Sequence, residues 1–83
     1  MKIPNEIKIG AINYKIIQKP EGSYLDRKRD ELNINVNLSP NQKEIALLHE
    51  IIHAMNIEID DEQIVEFLAQ SIIQVLKDNN LRF

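Results

Sequence analysis

The hydrophobic pattern of this chain changes its period at Ser39-Pro40, and no other feature constrains the fold as strongly. Before this point apolar and polar residues tend to alternate, as in half-exposed β-strands. After it apolar residues recur every three or four positions, as in amphipathic helices. The sequence therefore predicts an α+β fold in the order ββββαα, in which a small antiparallel sheet of three or four strands packs against two C-terminal helices.

The first half of the chain is predicted to form short strands joined by tight turns. Residues 6–9 and 12–18 are rich in β-branched residues and flank Gly10-Ala11, which favours a hairpin. A break at 20–23 precedes a third strand over residues 24–27. In the fourth, apolar residues alternate with three asparagines, which predicts one buried and one solvated face. The apolar positions of this strand are Leu32, Ile34, Val36 and Leu38.

The first helix is predicted to begin at a capping box. Ser39 is suited to the N-cap, Pro40 lacks an N–H that the first turn would leave unpaired, and Gln42 can close the box. The helix should run to about Met55. Its apolar residues follow helical spacing and are expected to lie on the sheet. They are Ile45, Leu48, Ile52 and Met55.

The second helix is predicted to begin at Asp60, with Gln63 again in the third helical position, and to fray near residues 78–80. Its apolar stripe is expected to face the core. The residues of that stripe are Ile64, Leu68, Ile72, Val75 and Leu76.

Length and composition limit the function classes open to the chain. Eighty-three residues predict one domain, 1–83, with a core only just large enough to support itself. Because cysteine is absent, disulfides and thiolate metal ligands are excluded.

The net charge is -3, and the basic cluster Arg27-Lys28-Arg29, expected to be a solvated turn, is followed at once by two acidic residues. Nucleic acid is therefore not an expected partner.

The N-terminal residues do not resemble a secretion signal, because a proline and several charges interrupt them. No apolar run approaches the length that spans a membrane. We therefore expect a cytoplasmic protein that does not interact with membranes.

Both histidines of the chain lie in His49-Glu50-Ile51-Ile52-His53, an H-E-x-x-H pattern inside the first predicted helix. Residues four apart share one helix face, so two imidazole nitrogens can converge on one ion at about 2.0–2.1 Å each. Glu50 lies beside this face and could serve as general base to a water that Zn²⁺ activates. The competing interpretation is coincidence, with two unrelated histidines on an amphipathic helix and no metal.

A hydrolytic zinc site needs a third protein ligand, and the chain has no third histidine. A carboxylate must therefore supply it. The second helix offers Glu62 and Glu66 on one face together with Ala69, a small residue that would allow close approach to the first helix. We prefer Glu66, because a ligand inside a helix is better positioned than one in a frayed first turn.

The motif His49 to His53, followed by Glu66-Phe67-Leu68-Ala69, resembles the small zincin-like metallopeptidases of phages and prophages that are related to the ImmA/IrrE group. Ile7, Ile9, Gly10 and Tyr14, and the ending at residues 76–79, add to the resemblance, although only H-E-x-x-H is specific. The resemblance implies a minimal zincin core. It also implies that His49, His53 and Glu66 bind Zn²⁺ and that Glu50 is catalytic.

The sequence therefore predicts a zinc-dependent metallopeptidase that hydrolyses peptide bonds in a peptide or protein substrate. The substrate is expected to lie along residues 31–37 as an exposed edge strand, and Tyr14 or Tyr24 could donate a hydrogen bond to the developing oxyanion. The alternatives are a catalytically silent zinc-binding regulatory module and a metal-free binding domain. Manganese, iron or cobalt could occupy the same ligands, and a homodimer could complete the core or the cleft.

Overall fold

The computed structural model describes residues 3–55 and 61–81. Four strands and two helices follow one another in the predicted order, which confirms the α+β class. The strands are β1 (Glu6–Ile9), β2 (Ile12–Lys19), β3 (Tyr24–Asp26) and β4 (Glu31–Asn35), and the helices are α1 (Pro40–Met55) and α2 (Glu62–Asp78). Neither helix of the described residues is long and apolar enough to cross a membrane.

The sheet is mixed, with the strand order β1-β2-β4-β3. The predicted hairpin joins β1 and β2 through Gly10, whose φ of 61° suits glycine. β3 and β4 are also antiparallel, but β4 runs parallel to β2. The prediction of a purely antiparallel sheet is therefore wrong at this pair. Placing β4 in the middle buries its Leu32 and Ile34 completely and leaves the three-residue β3 at the edge.

β4 is buried on both faces, contrary to the predicted solvated face. Asn33 is as completely buried as its apolar neighbours, while Val36 lies beyond the end of the strand and is 40% exposed. In register with Asn33 are Ile17 on β2 and Tyr24 on β3. Lys19 Nζ donates a hydrogen bond to the Tyr24 hydroxyl over 3.1 Å, which joins the two strands that flank β4. These cross-strand neighbours cover the face that the alternation assigned to water.

α1 begins at the predicted capping box: the Gln42 N–H donates to Ser39 Oγ, and the Ser39 N–H donates to Gln42 Oε1. The helix lies on the sheet, but it is rotated relative to the predicted orientation. Met55 is exposed rather than in the core, and Ile45 and Ile52 are only half-buried. The buried positions of α1 are Glu44, Leu47, Leu48, Glu50 and Ile51. This rotation turns one edge of α1 towards α2.

α2 packs along α1, and its ends are capped by local hydrogen bonds. Its N-cap is Asp61, whose Oδ1 accepts from the N–H groups of Gln63 and Ile64. The predicted cap, Asp60, lies outside the described residues. At the C-terminal end Asn80 has a φ of 56°, and the Leu81 N–H donates to the Leu76 carbonyl, which forms a Schellman motif.

The face of α2 that is buried differs from the predicted one. Val65, Ala69 and Ile73 are buried, whereas four of the five predicted core residues are exposed. Those four are Ile64, Leu68, Ile72 and Val75. Apolar residues occupy well over half of the circumference of α2, so hydrophobicity alone did not identify the inner face. The small side chain of Ala69 allows close approach to α1. The buried residues of α2 are Ala69 and those one turn to either side of it, Val65 and Ile73.

Replacing Asn33 by leucine should stabilise the fold. The amide nitrogen and oxygen of Asn33 are buried without a hydrogen-bond partner among the described residues. An unpaired buried polar group costs about 1–3 kcal/mol, and leucine is nearly the same size. We expect Asn33→Leu to raise the free energy of unfolding in urea titrations, whereas the exposed Asn5→Leu should change it little. A lower stability for Asn33→Leu would contradict this account.

Candidate metal centre

The two motif histidines share one face of α1, one turn apart. Their ring centroids are 4.9 Å apart, and Nε2 of His49 lies 3.2 Å from Nε2 of His53. In a tetrahedral site with bonds of 2.0–2.1 Å, neighbouring ligand atoms are about 3.3 Å apart. The helical spacing alone therefore brings the two nitrogens to the separation that a shared ion requires.

Glu62, in the first turn of α2, faces both histidines. Its Oε1 lies 2.7 Å from Nε2 of His53, and its Oε2 lies 2.8 Å from Nε2 of His49. His49, His53 and Glu62 thus form a group that could hold a metal ion. Two imidazoles and one carboxylate, without a thiolate, are a donor set that suits zinc and several other divalent metals.

Glu66 also contacts His49, but from the opposite side of the ring. Its Oε1 lies 2.8 Å from Nδ1 of His49, and its Oε2 accepts a hydrogen bond from Gln70 over 3.0 Å. A carboxylate at this nitrogen fixes the tautomer and the orientation of the ring. The structure therefore brings both glutamates to His49, but it is Glu62 that joins the two histidines at one point. Which glutamate binds an ion stays a prediction.

Glu62 was not the preferred third ligand in the sequence-based prediction, because the first turn of α2 was expected to be frayed. Asp61 caps that turn with two hydrogen bonds and so orders the backbone at Glu62. In the sequence, Asp61 directly before the helix indicates this cap. The predicted N-cap was Asp60, one residue earlier. Glu62 therefore lies in a capped helical turn.

The interaction between His49 and Glu62 shifts the pKa values of both groups. Burial alone would lower the pKa of His49, but hydrogen bonds to Glu66 and Glu62 outweigh it and raise this pKa above its ordinary value. The hydrogen bond to His49 in turn lowers the pKa of Glu62. The carboxylates of Glu62 and Glu66 therefore favour the positively charged form of His49.

Glu50 differs from the other carboxylates because it is only 6% exposed. Burial raises its pKa to about 7; the charge of His49 opposes this rise, and the nearby Glu62 and Glu66 add to it. A carboxyl group that titrates near neutral pH can take up a proton and return it during one reaction cycle. This is the behaviour expected of a general base and acid.

A cleft of about 330 Å³ brings Glu50, His53 and Glu62 together with the edge strand β3 and the turn that follows it. The strand side is lined by Ser23, Tyr24, Leu25 and Arg27. The predicted edge strand, β4, is paired on both sides, so the assignment of the sheet edge to residues 31–37 is wrong. β3 is the strand at this end of the sheet, next to the histidines.

Arg27 is a residue that the sequence analysis missed. It lies in the exposed turn that the sequence predicted, but its Nη2 also donates to the backbone carbonyl of His53 over 3.2 Å, and its side chain lines the cleft. Because β3 and its turn are brought to the end of α1 only by the tertiary fold, no local pattern indicated this contact.

A second pocket, of about 400 Å³, lies on the other side of the histidines. It is lined by His49, Glu62, Gln63, Glu66, Phe67 and Gln70, and its accessible surface is mostly apolar. The candidate metal group thus lies between a polar cleft next to β3 and an apolar pocket along α2.

No protein-family model, curated protein or solved structure matches this chain. The resemblance to the zincin-like metallopeptidases therefore stays a prediction that rests on the motif and on the geometry described above.

The metal-free protein should lose stability as Glu50 ionises. Its pKa of about 7 lies above the ordinary value of 4.5, so the folded state favours the neutral carboxyl. The favourable contribution is complete below pH 4.5 and is lost as the pH rises towards 7, by up to about 3 kcal/mol. With chelator present, Glu50→Gln should be more stable than the unmodified protein at pH 8, and this advantage should shrink towards pH 4.5.

Urea titrations across this pH range, with the exposed Glu21→Gln as control, would measure the effect. A difference between Glu50→Gln and the unmodified chain that does not vary with pH would show that the buried carboxyl has no raised pKa.

Proposed function

We propose that this chain is a zinc-dependent metallopeptidase that uses Glu50 as its general base. The observation that carries the proposal is the arrangement of four side chains. Ligand atoms of His49, His53 and Glu62 converge on one point, and a buried glutamate with a pKa near 7 lines the same cleft. A coincidental pair of histidines on a helix would not require either of these additional features.

The donor set suits zinc with three protein ligands. Nε2 of both histidines and a Glu62 oxygen would hold the ion, which leaves a fourth position open. Glu66 would act as a positioning residue: its carboxylate accepts the Nδ1–H of His49, so that the lone pair of Nε2 points towards the ion. Gln70 holds that carboxylate in place.

The chemistry proposed for Glu50 is proton transfer. Zinc in this site would lower the pKa of a water towards neutrality and polarise the scissile carbonyl. Glu50 would take up a proton from the water that attacks the carbonyl carbon, and would return it to the amine nitrogen as the C–N bond breaks.

The substrate proposed for this site is an extended peptide. It would pair with the outer edge of β3 through backbone hydrogen bonds, which would bring a peptide bond into the cleft that His53 and Glu50 line. A side chain on one side of that bond would enter the apolar pocket next to Phe67. On the other side, Arg27 adds a positive charge to a cleft that Glu50 and Glu62 also line.

Zinc content should separate the ligands from the positioning residue. We expect one zinc per chain in the unmodified protein, measured by elemental analysis after dialysis, and no stoichiometric zinc in His53→Ala. Glu62→Gln should weaken zinc binding more than Glu66→Gln, because loss of a residue that only orients a ligand costs about 10–100-fold in affinity. The reverse order would make Glu66 the third ligand, and unmodified protein without bound metal would refute the proposed site.

Hydrolysis should depend on the Glu50 carboxylate. In a quenched-fluorescence peptide library, Glu50→Gln should lower the rate by roughly a hundred-fold or more, with zinc content unchanged. Glu44→Gln is a matched control, because Glu44 is an equally buried glutamate of α1 that pairs with Lys77 instead of lining the cleft. Equal rates for Glu50→Gln and the unmodified protein would remove the catalytic assignment.

The second candidate is a zinc-binding module without turnover, which the short edge strand favours. β3 has only three residues and offers few backbone hydrogen bonds to a substrate. Such a module would bind one zinc per chain and melt at a higher temperature with zinc present. It would show no hydrolysis across the peptide library.

A further inference from the structure

One face of α2 exposes a continuous apolar surface that residues 3–55 and 61–81 leave uncovered. Five large side chains are between 38% and 69% exposed, namely Ile64, Phe67, Leu68, Ile72 and Val75. Single exposed apolar residues are ordinary, but a contiguous patch of them indicates an interaction surface. We call this surface the open face of α2.

The open face has the spacing of a helix–helix contact. Ile64, Leu68, Ser71 and Val75 follow one another at intervals of four, three and four residues, which is the repeat of a packed helical seam. Ser71 lies near the middle of α2 and is small. A second helix could therefore approach most closely at Ser71.

The open face carries both a groove and a side chain that could fill one. An apolar groove of about 220 Å³ is lined by Leu68, Ser71, Ile72, Val75 and Leu76. Phe67 is 69% exposed. It precedes Leu68 and lies one helical turn before Ser71, and both of these residues line the groove. A projecting side chain and a matching groove on one surface are what a two-fold symmetric contact needs, because each copy supplies the same pair.

We infer that the open face of α2 binds a second copy of this chain, so that the protein is a homodimer. The two α2 helices run antiparallel, with Ser71 of each copy close to the two-fold axis. Positions four residues to either side of Ser71 then meet across the interface, so Phe67 of one copy contacts the groove at Val75 of the other. This dimer does not rest on the proposed function: the proposed ligands and Glu50 lie elsewhere, and the one residue that the two surfaces share is Phe67, which also lines the apolar pocket beside His49.

The size and charge of the open face fit this occupant. Five half-exposed side chains at about 100 Å² each give roughly 500 Å² per copy and roughly 1,000 Å² in total, at the lower limit for a specific interface. The polar residues along one border are the uncharged Gln63, Gln70 and Gln74, with the acidic Asp78 at the C-terminal end. A helix that lies on a membrane surface carries lysine and arginine there, and this chain has a net charge of -3.

Sedimentation velocity over a range of protein concentrations tests the inference. The unmodified chain should rise from 9.7 kDa towards twice that mass as its concentration increases. Val75→Glu places a charge in the seam and should raise the dissociation constant about tenfold or more. Ile12→Glu is the matched control: Ile12 is similarly exposed, but lies in the sheet, and the control should dimerise normally.

A single cysteine tests the position of the axis, because the chain has none of its own. Ser71→Cys should give a covalent dimer with diamide or a short bis-maleimide, whereas Ile12→Cys should not. Circular dichroism of each variant would show that it is folded. A chain that is monomeric at every concentration, or a dimer that Val75→Glu leaves intact and Ser71→Cys does not link, would overturn the inference.

Discussion

The contact between α1 and α2 determines the geometry of the candidate site. Ala69 is completely buried, and together with Ile73, one turn further along, it joins the core cluster that holds α2 against α1. On the neighbouring face of α2 are Glu62 and Glu66, which the contact brings to the histidines of α1. The carboxylates are therefore positioned by apolar packing on one helix face, and the histidines by their spacing on the other helix.

The features that could be predicted from the sequence are those set by local interactions. The capping box at Ser39 fixes where α1 begins, and the spacing of His49 and His53 fixes how far apart their rings lie. The parallel pairing of β2 with β4 and the rotation of both helices depend on which surfaces fit together across the molecule. For that reason the core stripe of α2, the buried Asn33 and the position of Arg27 did not follow from the pattern.

Two polar side chains inside this small core differ in their relation to the site. Asn33 lies in the central strand, away from the cleft, and its amide is buried without a partner among the described residues. Glu50 is buried at the cleft, where the cost of desolvation raises its pKa to about 7. The first is a stability defect with no role in the proposed chemistry. The second is the kind of unfavourable burial that gives a carboxyl group useful reactivity.

The first turn of α2 lies against the last two turns of α1, and their polar atoms meet at His49, His53 and Glu62. An ion held by these three residues would tie the two helices together across a short connection, much as a cross-link closes a loop. Its stabilising effect would then fall mainly on the helical pair, while the β1–β2 hairpin would depend on the apolar core and on the hydrogen bonds between β2 and β4. Metal occupancy would thus change the order in which parts of this domain open.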